Sequence, residues 1–382
     1  MIPRQADRPW PLVPPRRADF DEPLELLCGA RLGPYTLAYE EYGPAWAKAE
    51  RAILICHGLT ATAHAAGRHH PADPKPGWWD LAIGPGKAID TDKYYVLCSN
   101  VLGGFGGSTG PGSIDPATGR PFGLRLPPLT VADMVAAQVR LADRLGVERF
   151  HCVIGGCMGG FQALEWLAAH PQRLESAIVI GSAARVSAHT LALWEVIREA
   201  IRRDPGFNGG DYYDGPAPAS GMSLGSMFGM MIWMSKEVME RRFGLRTIDG
   251  GPPRISLEPQ FAIQEFFQKI GQGGSGGVDP NSLIYLTKAM DFFDLSRGRD
   301  DLAQAFAGGR AKALLVSYRS DWRYPPAASE QLRQAMAQAG LEASHVELQS
   351  DFGHGAFIYD AHGVGRVMAD FLAELARRGP QT

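Results

Sequence analysis

Residues 153–160 read VIGGCMGG, and FQALEWLAAHP follows directly. Val153 and Ile154 have the look of the end of a buried strand. Phe161, Leu164 and Leu167 then recur on one helical face. Between strand and helix, Gly155, Gly156, Gly159 and Gly160 surround a single side chain capable of reaction, Cys157. Strand, very tight turn and helix, with a reactive group at the apex, is the pattern of a nucleophile elbow, G-x-S-x-G, with cysteine where serine is expected. Glycine at 155 and 159 lets two backbone segments pass closely without a Cβ clash.

The flanking sequence supplies the frame such an elbow needs. RAILICHGLT, KYYVLCSNVLGG, RFHCVIGG, LESAIVIGSAA, AKALLVSYRSD and SHVELQSDFGHGAF read as strands, most of them apolar throughout. TVADMVAAQVRLADRLGV and VGRVMADFLAELARRG read as amphipathic helices. Alternation of this kind predicts a mostly parallel central sheet with helices on both faces. Upstream, LELLCGARLGPYTLAYEEYG reads as two strands around a Gly-Pro turn. From Ser187 to Asp300 the alternation stops, and only helical runs appear. The expected architecture is an α/β-hydrolase fold with an inserted helical lid. Its expected parts are an N-terminal arm at 1–24, a core at 25–187 and 301–382, and the lid at 188–300. The lid holds six methionines between Met222 and Met239. These read either as core or dimer seam, or as an adaptable apolar binding wall.

Composition narrows the function classes. The chain has 382 residues, 45% hydrophobic and 21% charged, which suits a globular α/β protein with a subdomain. A net charge of -3 gives no electrostatic footprint for nucleic acid. No run is apolar and long enough to span a membrane. The opening MIPRQADRPWPLVPPRR lacks an apolar leader region, so a cytoplasmic location is expected. The five cysteines are Cys28, Cys56, Cys98, Cys152 and Cys157, an odd number without dense spacing, which argues against a disulfide framework. Cys56, Cys98 and Cys152 sit in apolar strands and read as small buried hydrophobes. With no C-x-x-C and no H-E-x-x-H, no metal site is expected.

An elbow nucleophile needs a base, an orienting acid and an oxyanion hole, in chain order nucleophile, acid, histidine. Asp321 follows the strand ALLVSY, and His354 follows VELQSDF, so both stand at strand ends and in that order. His354 would take the thiol proton, and Asp321 would orient the imidazole. His57 also follows a strand, but its place in H-G-L fits an oxyanion loop better. The backbone N–H groups of Leu59 and Met158 are then the oxyanion donors. Read singly, each residue has a plainer meaning: a buried thiol, a turn aspartate, a loop histidine. The order and topology of the three together carry the argument.

CHGLT, GWWD, IGPGKAIDTDKYYVLCSNVLGG, GSTGP, IGGCMGGFQALEW, NGGDYY, NSLIYLTKAMD and SDWRYPP resemble the homoserine O-acetyltransferases over about residues 25–375. The resemblance implies a triad at Cys157, Asp321 and His354, the same three positions. It implies acetyl-CoA or succinyl-CoA as acyl donor, with no cofactor permanently bound, and a homoserine hydroxyl as acceptor. The partners implied are a small-molecule donor and acceptor and a second copy of the chain, through the lid. The family pattern has serine at position 157, a lid arginine at Ser226, a tyrosine at Trp233 and an aspartate at Gly355. The cation for a homoserine carboxylate and the anion for its amine are both replaced. The expected acceptor is therefore less charged than homoserine, in a pocket walled by Phe105, Trp233 and lid methionines such as Met230. The cysteine reads as native because other site changes accompany it, an engineered trap being the alternative. Three readings stay open: acyl transfer through a Cys157 thioester, ester or thioester hydrolysis on the same residues, and a silent relative.

Overall fold

The computed structural model describes residues 11–49, 51–273 and 276–378. Its main sheet has eight strands: β1 (Arg16–Phe20), β2 (Tyr35–Tyr42), β3 (Ala52–Cys56), β4 (Tyr95–Ser99), β5 (Cys152–Gly156), β6 (Ser176–Ile180), β7 (Lys312–Tyr318) and β8 (Ala343–Leu348), in spatial order β1-β2-β4-β3-β5-β6-β7-β8. β2 runs antiparallel to both β1 and β4, and the strands from β4 to β8 pair in parallel. This is the α/β-hydrolase architecture that the alternation called for. AILIC, YVLCS, CVIGG and SAIVI are buried at every residue, as strands covered on both faces must be. The elbow lies on β5, at the middle of the sheet.

Among the described residues, the helices of seven residues or more are α1 (Val131–Arg144), α2 (Met158–Ala169), α3 (Ala188–Arg202), α4 (Ala219–Trp233), α5 (Lys236–Arg242), α6 (Ala262–Gln272), α7 (Pro280–Asp291), α8 (Pro326–Gln338) and α9 (Ala361–Arg378). Helices α3 to α7 fill the insertion between β6 and β7, and α4 packs between α3 and α6. Arg198 of α3, buried, pairs with Asp291 of α7 at 2.9 Å and ties the insertion together. Two of the quoted motifs meet there: Tyr212 donates to Asp279 at 2.6 Å, and Asn281 Nδ2 donates to the Gly210 carbonyl at 2.8 Å.

The N-terminal region differs from the expectation. Residues 1–10 lie outside the described residues, but Arg16–Phe20 is no loose arm. It forms the edge strand of the main sheet, with Arg16 opposite Tyr39 and Phe20 opposite Tyr35. The expected two strands around Gly33-Pro34 are instead a two-residue pairing of Leu24–Glu25 with Arg31–Leu32, followed by the long β2. Among the described residues, no helix is long and apolar enough to cross a membrane.

Candidate active site

The elbow is built by close approach. A Cβ on Gly155 would fall 2.0 Å from the Gly159 carbonyl oxygen, and one on Gly159 would fall 2.0 Å from that of Cys56. Any side chain at either position would push α2 off the sheet. Cys157 itself sits at φ 59°, ψ −124°, a left-sided conformation rare outside glycine. That cost is sustained by Cys157 N–H donating to the Ile180 carbonyl at 3.0 Å and by Ser182 Oγ donating to the Cys157 carbonyl at 2.7 Å. Beneath the elbow, Gln162 Nε2 donates to the His57 carbonyl at 3.1 Å, Gln138 donates to Gln162 at 2.8 Å, and Trp166 donates to Gln138 at 2.8 Å. This buried amide chain fastens α2 to α1 and to the loop after β3. No sequence motif announced it.

Asp321, His354 and Cys157 come together from three strand ends. His354 Nδ1 and Asp321 Oδ2 are 2.8 Å apart, and both residues are buried. Asp321 Oδ1 accepts the backbone N–H groups of Arg323 and Tyr324, each at 3.0 Å. With two donors on Oδ1 and the imidazole on Oδ2, the carboxylate has one orientation. His354 Nε2 has no hydrogen bond of ordinary geometry, which leaves it open to a reacting group. Burial pushes the Cys157 thiol up. The Arg323 guanidinium, the His354 imidazole and the Met158 N–H outweigh it and bring the thiol down to about 6. Burial pulls His354 down, but the Asp321 carboxylate and Cys157 raise it to about 9. The strand cysteines behave oppositely: burial, the largest cause for each, pushes Cys56 and Cys98 up, and Cys152 to about 12.

These directions set a pH dependence. A depressed thiol is ionised above its own value and protonated below it, so alkylation of Cys157 by iodoacetamide is expected to be half-maximal near pH 6 and flat across neutrality. In His354→Ala the midpoint should climb toward the free-thiol value of about 8.5. Peptide mapping separates this from the exposed Cys28. Identical profiles for the two proteins would mean that no thiol–imidazole pair exists.

Of the two expected oxyanion donors, Met158 is in contact with Cys157, and Leu59 lies on a loop that passes close to it. Met158 opens α2, and its N–H faces the sulfur. A Cβ on Gly58 would lie 3.8 Å from Cys157 Cβ, so the 57–59 loop carrying Leu59 passes close to the Cys157 side chain. His57 is held by Nδ1 donating to the Gly58 carbonyl at 2.8 Å and by Nε2 accepting from Val101 N–H at 3.1 Å. Burial lowers it to about 4, so it stays neutral and braces the loop.

The pocket residues are less gathered. Trp233 stands edge-on to His354, ring centres 5.4 Å apart. A Cβ on Gly355 would fall 2.2 Å from Trp233 Nε1, so these two departures from the family pattern are one steric unit. Ser226 is half-buried on α4, and Phe105 is half-buried on the loop after β4. Met230 packs on a separate lid cluster of Met234, Val238 and Phe243. A cavity of ≈ 570 Å³ opens beside Asp321, lined by Met231, Met234 and Trp322, whereas Cys157 is only 3% exposed. Sequence reasoning missed Arg323, 6% exposed and beside the triad. The available signal was a cation between two aromatics, Trp322 and Tyr324, at a strand end. Away from the site, Glu40, His64 and His69 bring potential metal-ligating atoms within 4.8 Å of one another. The two histidines already occupy both carboxylate oxygens, at 2.9 and 2.7 Å.

Residues 51–361 match the α/β-hydrolase-fold family. The chain is 46% identical over 358 residues to a homoserine O-acetyltransferase of Solidesulfovibrio magneticus, covering 93% of this chain and 90% of that one. It is 43% identical over 367 residues to a homoserine O-succinyltransferase of Litchfieldella anticariensis, covering 96% and 94%. The crystal structure of a homoserine O-acetyltransferase from Bacillus anthracis superposes with a TM-score of 0.88 at 28% identity, covering 95% and 98%. Esterase E22 superposes with a TM-score of 0.85, also at 28% identity, covering 94% and 100%. One expectation is corrected by these relatives. Enzymes that transfer acetyl and succinyl groups have to hold an acyl donor, so the expectation that no cofactor is bound does not stand. The chain belongs to the homoserine O-acyltransferase family within the α/β-hydrolase fold and is an enzyme of the acyltransferase class.

Proposed function

We propose that the protein transfers an acyl group through a thioester on Cys157, to an acceptor less charged than homoserine. The observation that carries this reading is a buried thiol at a strained elbow, drawn toward thiolate beside a histidine that is itself oriented by a buried carboxylate. The thiolate attacks the donor carbonyl carbon. The oxyanion receives the N–H groups of Leu59 and Met158, donors of a kind worth about 2.7–4 kcal/mol in the transition state. As the tetrahedral carbon collapses, the leaving group takes the proton from His354 Nε2. In the second half, the acceptor hydroxyl gives its proton to Nε2, its oxygen bonds to the carbonyl carbon, and the C–S bond breaks to return the thiolate. The reduced charge of the acceptor rests on Trp233 filling the space where a carboxylate at 355 would meet an ammonium.

Incubation with acetyl-CoA, succinyl-CoA or an aryl acetate, followed by intact-mass measurement, tests the intermediate. An adduct on Cys157 that discharges faster with an alcohol than with water is the expected result; no adduct from any donor would refute it. The likeness to esterase E22 favours hydrolysis as the second reading, and discharge at one rate with or without alcohols would select it. A homodimer through the lid is also proposed, because Leu224, Met231, Leu245, Ile255 and Leu257 expose apolar surface there. Sedimentation of the wild-type chain at the monomer mass would exclude it.

A further inference from the structure

Arg323 brings a cation into the site that the triad chemistry does not use. Its backbone N–H is pinned to Asp321 Oδ1, while Oδ2 of the same carboxylate pairs with His354. The group that orients the histidine therefore also fixes where the arginine side chain departs. The guanidinium lies over the Trp194 ring at 4.5 Å and the Tyr324 ring at 4.8 Å. Stacking on ring faces leaves the in-plane N–H groups unused. Nε and Nη2 are buried and make no hydrogen bond of ordinary geometry; the neighbouring Tyr324 hydroxyl, which interacts with the guanidinium, is likewise buried without one. Nε and Nη2 donate along the same edge of the planar guanidinium, the pair that grips a carboxylate side-on. Among the described residues, no carboxylate forms an ion pair with Arg323, in contrast to buried Arg198, which has Glu195 at 2.7 Å and Asp291 at 2.9 Å.

A buried guanidinium with idle donors is costly unless an anion faces it. In the free enzyme the Cys157 thiolate is such an anion. Acylation converts it to a neutral thioester, and Arg323 then loses a compensating charge just as the acceptor must bind. We propose that Arg323 is the anchor for a carboxylate on the acyl acceptor, gripped through Nε and Nη2 after Cys157 has been acylated, and that the acceptor is a hydroxy acid without an α-ammonium group. The inference rests on the acyl-enzyme reading above. It divides homoserine's two charges: the carboxylate keeps a partner, at a new place in the fold, and the ammonium meets the Trp233 indole. Arg323 exchanges no proton; it positions the alcohol for deprotonation by His354.

The test uses the full chain, acetylated with p-nitrophenyl acetate and verified by intact mass. It is then mixed with 4-hydroxybutanoate, which is homoserine without its amine, or with the uncharged 4-hydroxybutanamide. The carboxylate is expected to discharge the acetyl group at least ~10-fold more efficiently in kcat/KM, and Arg323→Gln should erase that ratio. Arg323→Lys should keep part of it, since a point charge cannot make the side-on pair. If Arg323 serves only to hold the thiolate, both alcohols slow together in Arg323→Gln and the ratio keeps its wild-type value, which overturns the proposal. A wild-type ratio near one does the same. Calorimetry with butanoate needs no turnover and decides the case where neither alcohol is accepted or no adduct forms. Binding should be tighter to Cys157→Ala than to wild type and absent in Cys157→Ala/Arg323→Gln; equal binding in all three proteins overturns the anchor. A missing adduct alone refutes the thioester, not the anchor.

Discussion

Replacing Cys157 by alanine is expected to lower acyl transfer by about 10⁶-fold and to abolish the covalent adduct, leaving the fold intact. The magnitude follows from the way nucleophile, base and oxyanion hole act as a unit: without the sulfur, the other groups have no covalent step to assist. The fold should survive because alanine at φ 59° is no more strained than cysteine there, and the hydrogen bonds that hold the turn come from the backbone and Ser182. No other thiol can stand in. Cys56, Cys98 and Cys152 lie within buried strands with their thiols pushed up, and Cys28 is on the surface. Intact mass after exposure to acyl donors, together with steady-state turnover, measures both effects. Turnover equal to wild type would remove Cys157 from the mechanism. The adjoining glycines make a separate check: Gly159→Ala should fail to fold stably, because its Cβ would overlap the Cys56 carbonyl.

The elbow was legible in the sequence because its demands are local. Four glycines around one cysteine state a backbone requirement that only neighbouring atoms impose. The acid and histidine were legible for a related reason: parallel strands deliver their ends to one edge of the sheet, so a titratable residue just past an apolar run is already placed. The edge strand Arg16–Phe20 was not visible, since RRADF has neither apolar alternation nor β-branched residues, and it exists only through antiparallel pairing with Tyr35–Tyr42. The His57–Val101 and Gln138–Gln162–Trp166 hydrogen bonds join residues far apart in the chain. Nor could Arg323 be seen as a buried cation without an ion pair, because one of the rings it stacks on, Trp194, comes from the lid, far away in the chain. Trp233 and Gly355 were each readable as a change from the family pattern. That they are one change required knowing that they touch.

That contact sets up a reciprocal test with a large expected effect. Gly355→Asp alone is expected to reduce activity by more than about 100-fold, since its Cβ would sit 2.2 Å from Trp233 Nε1 and the indole stands edge-on to His354 at 5.4 Å. Overpacking of this sort costs roughly 1–3 kcal/mol of stability. A displacement of about 1 Å in the base is enough for a hundredfold loss in rate. In a Trp233→Tyr background the same aspartate should be accommodated, because the smaller ring withdraws the atoms it would strike. The double variant then regains an anion where an α-ammonium can meet it. Such a charge-assisted contact contributes roughly 1.5–3 kcal/mol, so kcat/KM for L-homoserine should rise about 10- to 150-fold over wild type. The rise should be absent for 4-hydroxybutanoate, which has no ammonium to bind. The two single variants do not add up to this outcome, and the coupling energy from the four-protein cycle measures their interdependence. Gly355→Asp with wild-type activity would mean that Trp233 is free to move aside; the indole would then not be what keeps an ammonium-bearing acceptor from the thioester.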